Sequence, residues 1–145
     1  MSFPTTDRLK RWYQTHEVHF AVAKPGGAVE VGLAPTVSFP ADDVLLLELP
    51  APVWATVAEY LEASRWVALH PGGLGAVKAP YQLKGLARLE DLDLAADGTV
   101  TVPVDLKELY ITKPGPEAGQ RVDQWPREQL VEFERQLGWL RDENA

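Results

Sequence analysis

Few residues in this chain have the chemistry to act on a substrate or hold a cofactor. Its imidazoles are His16, His19 and His70, a group that carries protons or ligates metals near neutral pH. His16 and His19 are three apart in a strand-like pattern, so they point to opposite faces and do not converge. With no cysteine and no matching carboxylate cluster, no metal site is expected. His70 stands at a strand end before Pro71 and reads as a proton donor or a surface histidine. Gln82 and Lys84 alternate with Tyr81 and Leu83, so an amide and an ammonium share one strand face. They line a ligand groove there, or form the ordinary outward row of an antiparallel strand. Pro71-Gly72-Gly73-Leu74-Gly75 is glycine-rich but lacks the Lys-Ser/Thr of a phosphate loop. Asp91, Asp93 and Asp97 read as a solvated turn without the ligand count of a calcium loop. Trp54, Trp66, Trp125 and Trp139 offer flat apolar surface for a ligand, the core or a dimer contact. No Ser-His-Asp pattern stands out.

Composition narrows the function classes. At 145 residues one domain spanning residues 1–145 is expected, burying roughly 68–70% of its unfolded surface without a covalent staple. The absence of cysteine removes disulfides, thiolate catalysis and iron–sulfur clusters. Net charge is −7, from 14 Lys plus Arg against 21 Asp plus Glu, which argues against nucleic acid as a partner because phosphate binding needs a positive stripe. No apolar run approaches the roughly 20 residues of a membrane span. The first residues lack a signal-like apolar core. A cytoplasmic protein with no membrane partner is expected.

The elements that would position these residues follow from periodicity. Thr5 or Thr6 caps a helix over residues 6–14, with Leu9, Trp12 and Tyr13 on one face. Strands over 17–24 and 29–33 flank Pro25-Gly26-Gly27 and read as a hairpin. Residues 37–39 extend the sheet. Residues 44–49 are apolar on both faces except at Glu48, as in a barrel wall covered by a helix or a second subunit. Pro52 opens a helix to about residue 64 carrying Val53, Val57 and Leu61. Further strands are expected over 65–69, 81–90, 99–104 and 107–112, with a turn at Ala96-Asp97-Gly98. Pro126 opens a last helix to about residue 142, with Leu130, Phe133, Leu137 and Leu140 as its seam. The fold expected is mainly β: a six- to seven-stranded antiparallel split β-barrel with about three flanking helices.

Two segments carry a resemblance. Residues 110–122 read Tyr-Ile-Thr-Lys-Pro-Gly-Pro-Glu-Ala-Gly-Gln-Arg-Val, a strand running into a stiff loop. The loop resembles the Thr-Pro-Gly-Pro-x-Ala-Gly segment of small proteins of the pyridoxamine 5'-phosphate oxidase-like family, the FMN-binding split barrels. Tyr81-Gln82-Leu83-Lys84-Gly85-Leu86-Ala87 is similar to that family's Tyr-Gln-Ile-Lys-Gly-x-Ala strand. With a weaker match over residues 42–69, the resemblance covers roughly residues 14–122.

It implies a homodimer with FMN between the subunits, and a flavin-dependent oxidoreductase whose hydride chemistry belongs to the cofactor. It places Gln82, Lys84, Thr36 and Ser38 along the flavin, and Thr56 where the family has a basic phosphate-binding residue. Val57 then falls where the family has Thr, and Tyr60 where Asn is common. No Lys or Arg occurs between Asp43 and Ser64; loss of a charge-assisted bond there removes about 1.5–3 kcal/mol, unless another strand or the partner brings the cation. That departure supports an alternative, a dimeric binding or structural protein that has lost FMN. Haem, with His70 as its ligand, or a deazaflavin on the same scaffold are further alternatives.

Overall fold

A computed structural model of the chain describes residues 3–71, 81–112 and 116–136. Helix α1 (Asp7–Thr15) begins at Thr6, whose hydroxyl accepts the Leu9 amide at 3.1 Å, one of the donors a helix start leaves open. Strands β1 (Val18–Ala23) and β2 (Val29–Ala34) form the expected hairpin. Gly26 and Gly27 turn it at φ of 87° and 89°, angles that side chains with a Cβ disfavour.

Next come β3 (Thr36–Ala41), β4 (Val44–Leu49) and helix α2 (Ala51–Ala63), with proline in its first turn. Strands β5 (Trp66–Pro71), β6 (Tyr81–Ala87), β7 (Asp93–Leu94) and β8 (Val100–Ile111) follow, then helix α3 (Arg127–Gln136). The strands are hydrogen-bonded in the order β2-β1-β5-β6-β8-β4-β3, all antiparallel, and β7 pairs with β8. The first and last strands of that path are consecutive in the chain, so the sheet curls back on itself as a split barrel.

Alternate residues fill its interior. Val18, Phe20, Val22, Leu45, Leu47, Leu49, Leu69 and Leu83 are all at most 2% exposed, and Val57 and Leu61 of α2 join them at 1%. At about 25 cal/mol per Å² of apolar surface, this burial is the main stabilising term. Strand β4 buries its inner row, while its outer row, Val44, Leu46 and Glu48, is half-buried.

Two expectations change. The strands expected over 99–104 and 107–112 are one long strand, β8. Residues 100–105 pair with β4 and residues 104–111 with β6, so Val104 and Asp105 are held by both neighbours. The register shifts between Lys84 and Gly85, where a Cβ on Gly85 would stand 2.4 Å from the Asp105 carbonyl oxygen. Strand β6 ends at Ala87, three residues early, because residues 89–91 turn as a short 3-10 helix. Leu130 and Phe133 of the α3 seam are buried; Leu137, Leu140 and Trp139 lie outside the described residues.

The helices are tied to the sheet by polar bonds inside the core. The Tyr13 hydroxyl donates to the Leu69 carbonyl at 2.8 Å. Glu134 of α3 is 2% exposed and accepts bonds from the hydroxyls of Thr6, at 2.7 Å, and Tyr81, at 2.5 Å. Buried carboxylates persist only with such partners. Among the described residues no helix is long and apolar enough to cross a membrane.

Candidate functional site

The outward face of the barrel carries the candidate site. Partners in an antiparallel ladder point to the same side, so the register defines rows across this face. One row runs Val31–Ala21–Ala68–Lys84–Glu108 from β2 to β8. Parallel to it, Leu33 faces His19 and His19 faces His70. Val29 faces Ala23 on the other side.

These rows form a groove of about 310 Å³, at the small end of the range for ligand sites. Ala21, Ala23 and Ala68 make its floor, Val29 and Trp66 its sides, and Lys84 and Glu108 one end. Alanines leave the backbone surface nearly flat, so a planar molecule can lie on the sheet. Val29, Val31, Leu33 and Trp66 are 60%, 58%, 40% and 43% exposed. Strand β2 thus turns its apolar row outward. Its inner side meets Phe20, whose ring occupies the space above Gly32.

The polar end is a linked cluster. The Lys84 ammonium lies 4.9 Å from the centre of the Tyr110 ring, within cation–π range. The Tyr110 hydroxyl donates to the Glu108 carboxylate, and that bond holds the phenol above its usual range. Arg121, bridged to Tyr110 beside β8, stands 3.8 Å from Glu108 and 2.6 Å from Asp123. Burial favours the protonated form of Asp123, but bonds from Arg121, Gln124 and the Leu109 amide outweigh it and hold the carboxyl below its usual range.

The expected site residues fall in three places. Gln82 and Lys84 share the outward side of β6, opposite Tyr110 and Glu108; Lys84 lines the groove. Thr36 and Ser38 share one side of β3, three strands farther along the ladder, facing Glu48 and Leu46. Thr56 is exposed on α2, where its hydroxyl donates to the Pro52 carbonyl at 3.1 Å.

A cation does reach α2, though from elsewhere in the chain. Lys24, at the end of β1, sits 5.7 Å from the Tyr60 ring centre and 3.7 Å from Glu30. Tyr60 is one helical turn from Thr56, on the same side of α2. Lys24 directly follows Ala23 of the groove floor. No signal within residues 43–64 could have revealed it.

His16 is exposed and its Nδ1 lies 3.1 Å from the Trp12 carbonyl. His19 lies apart from it, across from His70. Among the described residues no group of three or more His, Cys, Asp or Glu converges. Gly72 to Pro80, and Lys113 to Gly115 of the proline–glycine loop, lie outside the described residues.

The groove's lining fits a flavin ring in kind, with a flat apolar floor for a tricyclic system and Lys84 at one end for an electron-rich edge, while Lys24 and Thr56 lie outside that lining.

No family model and no curated protein matches this sequence. Solved structures do match its fold, which is the split barrel. HupZ of Group A Streptococcus is 10% identical with a TM-score of 0.61, over 79% of this chain and 98% of that one. A Lactobacillus delbrueckii protein named for pyridoxamine 5'-phosphate oxidase is 14% identical with a TM-score of 0.59, over 76% and 99%. An FMN-binding protein of Syntrophomonas wolfei is 6% identical with a TM-score of 0.52, over 68% and 78%. At these identities the likeness is one of fold.

Proposed function

From a split-barrel fold of the kind seen in FMN-binding proteins, we propose that this chain binds a flavin, FMN by preference, and works as a flavin-dependent oxidoreductase. The observation that carries the reading is the alanine-floored groove closed by Lys84 and Glu108. Ala21, Ala23 and Ala68 would carry the ring, with Trp66 against its edge. Lys84 would donate to the ring's carbonyl side, its charge held in place by Tyr110. Lys24 and Thr56 would hold the phosphate, and Gln82 would add a polar contact along the same face. Thr36 and Ser38 would meet the ligand only from beyond β8 and β4. When bound, the flavin supplies hydride transfer; the chain's part is to bind it, orient it and keep water from one of its faces.

The exposed row of Val29, Val31 and Leu33 beside Trp66 supports a homodimer closed over this face, since contiguous exposed apolar surface marks an interaction site. Purified protein mixed with excess FMN and desalted is expected to keep about one flavin per chain, read from its visible absorbance. A colourless protein with no thermal shift would overturn the reading. One observation favours a second reading, a dimeric binding protein without a flavin: the Thr56 hydroxyl is already bonded within its own helix. The same desalting experiment separates the two.

A further inference from the structure

The ladder brings together a pair of histidines that spacing along the chain does not. His19 on β1 and His70 on β5 are direct cross-strand partners on the outward face. Side chains so placed start with Cβ atoms about 4.5–5.5 Å apart, which lets two imidazole nitrogens meet one ion at about 2.0–2.1 Å each. Both rings are half-buried, and the buried Nδ1 of His19 has no hydrogen-bond partner among the described residues. A polar atom in that position ordinarily has one.

We propose that His19 and His70 form a two-histidine clamp for a divalent first-row transition ion, with copper bound more tightly than nickel or zinc. Imidazole suits these ions, and affinity rises toward copper along the series. An ion between the rings would satisfy the orphaned nitrogen and leave its remaining positions to water or a small ligand. Leu33 flanks the pair on β2. On the β6 and β8 side the same face presents Gln82 opposite Tyr110 and Lys84 opposite Glu108; the Glu108 carboxylate is engaged by the Tyr110 hydroxyl.

The test is calorimetric titration of flavin-free full-length protein with Cu²⁺ and with Zn²⁺ at pH 7.5. One ion per chain is expected, with a copper spectrum of nitrogen ligation by electron paramagnetic resonance. His19→Gln and His70→Gln should each weaken binding by about ten-fold or more, while His16→Gln titrates as wild type. Circular dichroism of each variant without metal checks that it folds; should one fail to fold, the other carries the comparison. Wild-type affinity in either folded variant, or a loss confined to His16→Gln, would overturn the proposal.

Discussion

The Tyr81 hydroxyl donates to the buried carboxylate of Glu134 at 2.5 Å, joining the first residue of β6 to the C-terminal helix. Thr6 donates to the same carboxylate, so one side chain connects the start of α1, the sheet and α3. Tyr81→Phe should therefore destabilise the fold by about 1–3 kcal/mol, the cost of leaving a buried acceptor short of a partner. Chemical denaturation at pH 7 measures it.

Burial raises the Glu134 pKa above its ordinary value, against the bonds from Tyr81 and Thr6. A raised carboxyl contributes stability that is fully present below the ordinary carboxylate value and is lost as pH rises through the raised one. Wild type should thus lose stability relative to Glu134→Gln across that interval. Parallel stability–pH curves for the two proteins would refute the assignment.

Asp123 behaves in the opposite sense. Its lowered pKa gives stability that is present above the ordinary carboxylate value and disappears as pH falls through the depressed one. Its side chain is 2% exposed and holds Arg121 and the Leu109 amide. Asp123→Ala should cost about 1–3 kcal/mol at pH 7, with the difference from wild type shrinking in acid. Thermal melts at pH 7 and pH 3 distinguish the two conditions.

Gly85 has no room for a side chain. With the Asp105 carbonyl oxygen 2.4 Å from an added Cβ, Gly85→Ala must displace backbone where β6 crosses β8. A loss of at least about 1–3 kcal/mol is expected, and the melting temperature should fall accordingly.

Lys24 and Lys84 should separate by ligand. If Lys24 pairs the phosphate, Lys24→Ala weakens FMN by about ten- to a hundred-fold, the equivalent of about 1.5–3 kcal/mol, and leaves riboflavin unchanged. Lys84→Ala should weaken both. Quenching of flavin fluorescence during titration reads each affinity.

Val31 is 58% exposed, so Val31→Asp should leave folding stability within about 0.5 kcal/mol. If the proposed homodimer closes over this face, the same change puts a carboxylate on its apolar row and should yield a monomer. Light scattering at micromolar concentration makes the comparison.

Much of the fold could be read from local patterns. Alternation about Pro25-Gly26-Gly27 located the β1–β2 hairpin, and Pro52 with Val57 and Leu61 located α2. The site was less legible, because period tells which residues share a side of one strand but not which strand lies next to it. His19 meets His70, and Lys24 meets Tyr60, only through pairings between distant segments. The alternation of Val29, Val31 and Leu33 was plain, yet their outward turn depended on Phe20 filling the space over Gly32. Strand β8 looked like two because Asp105 falls where its pairing passes from β4 to β6.

That shared strand governs how the molecule assembles. Residues 44–49 and 81–87 both wait for residues 100–111 to arrive before the ladder is continuous. Joining segments so far apart costs chain entropy before any contact repays it, which places this protein among the slower, non-local folders, on the millisecond-to-second scale. Strand β8 is the seam at which the two halves of the sheet become one cooperative unit, so its amides should be the last to exchange with solvent.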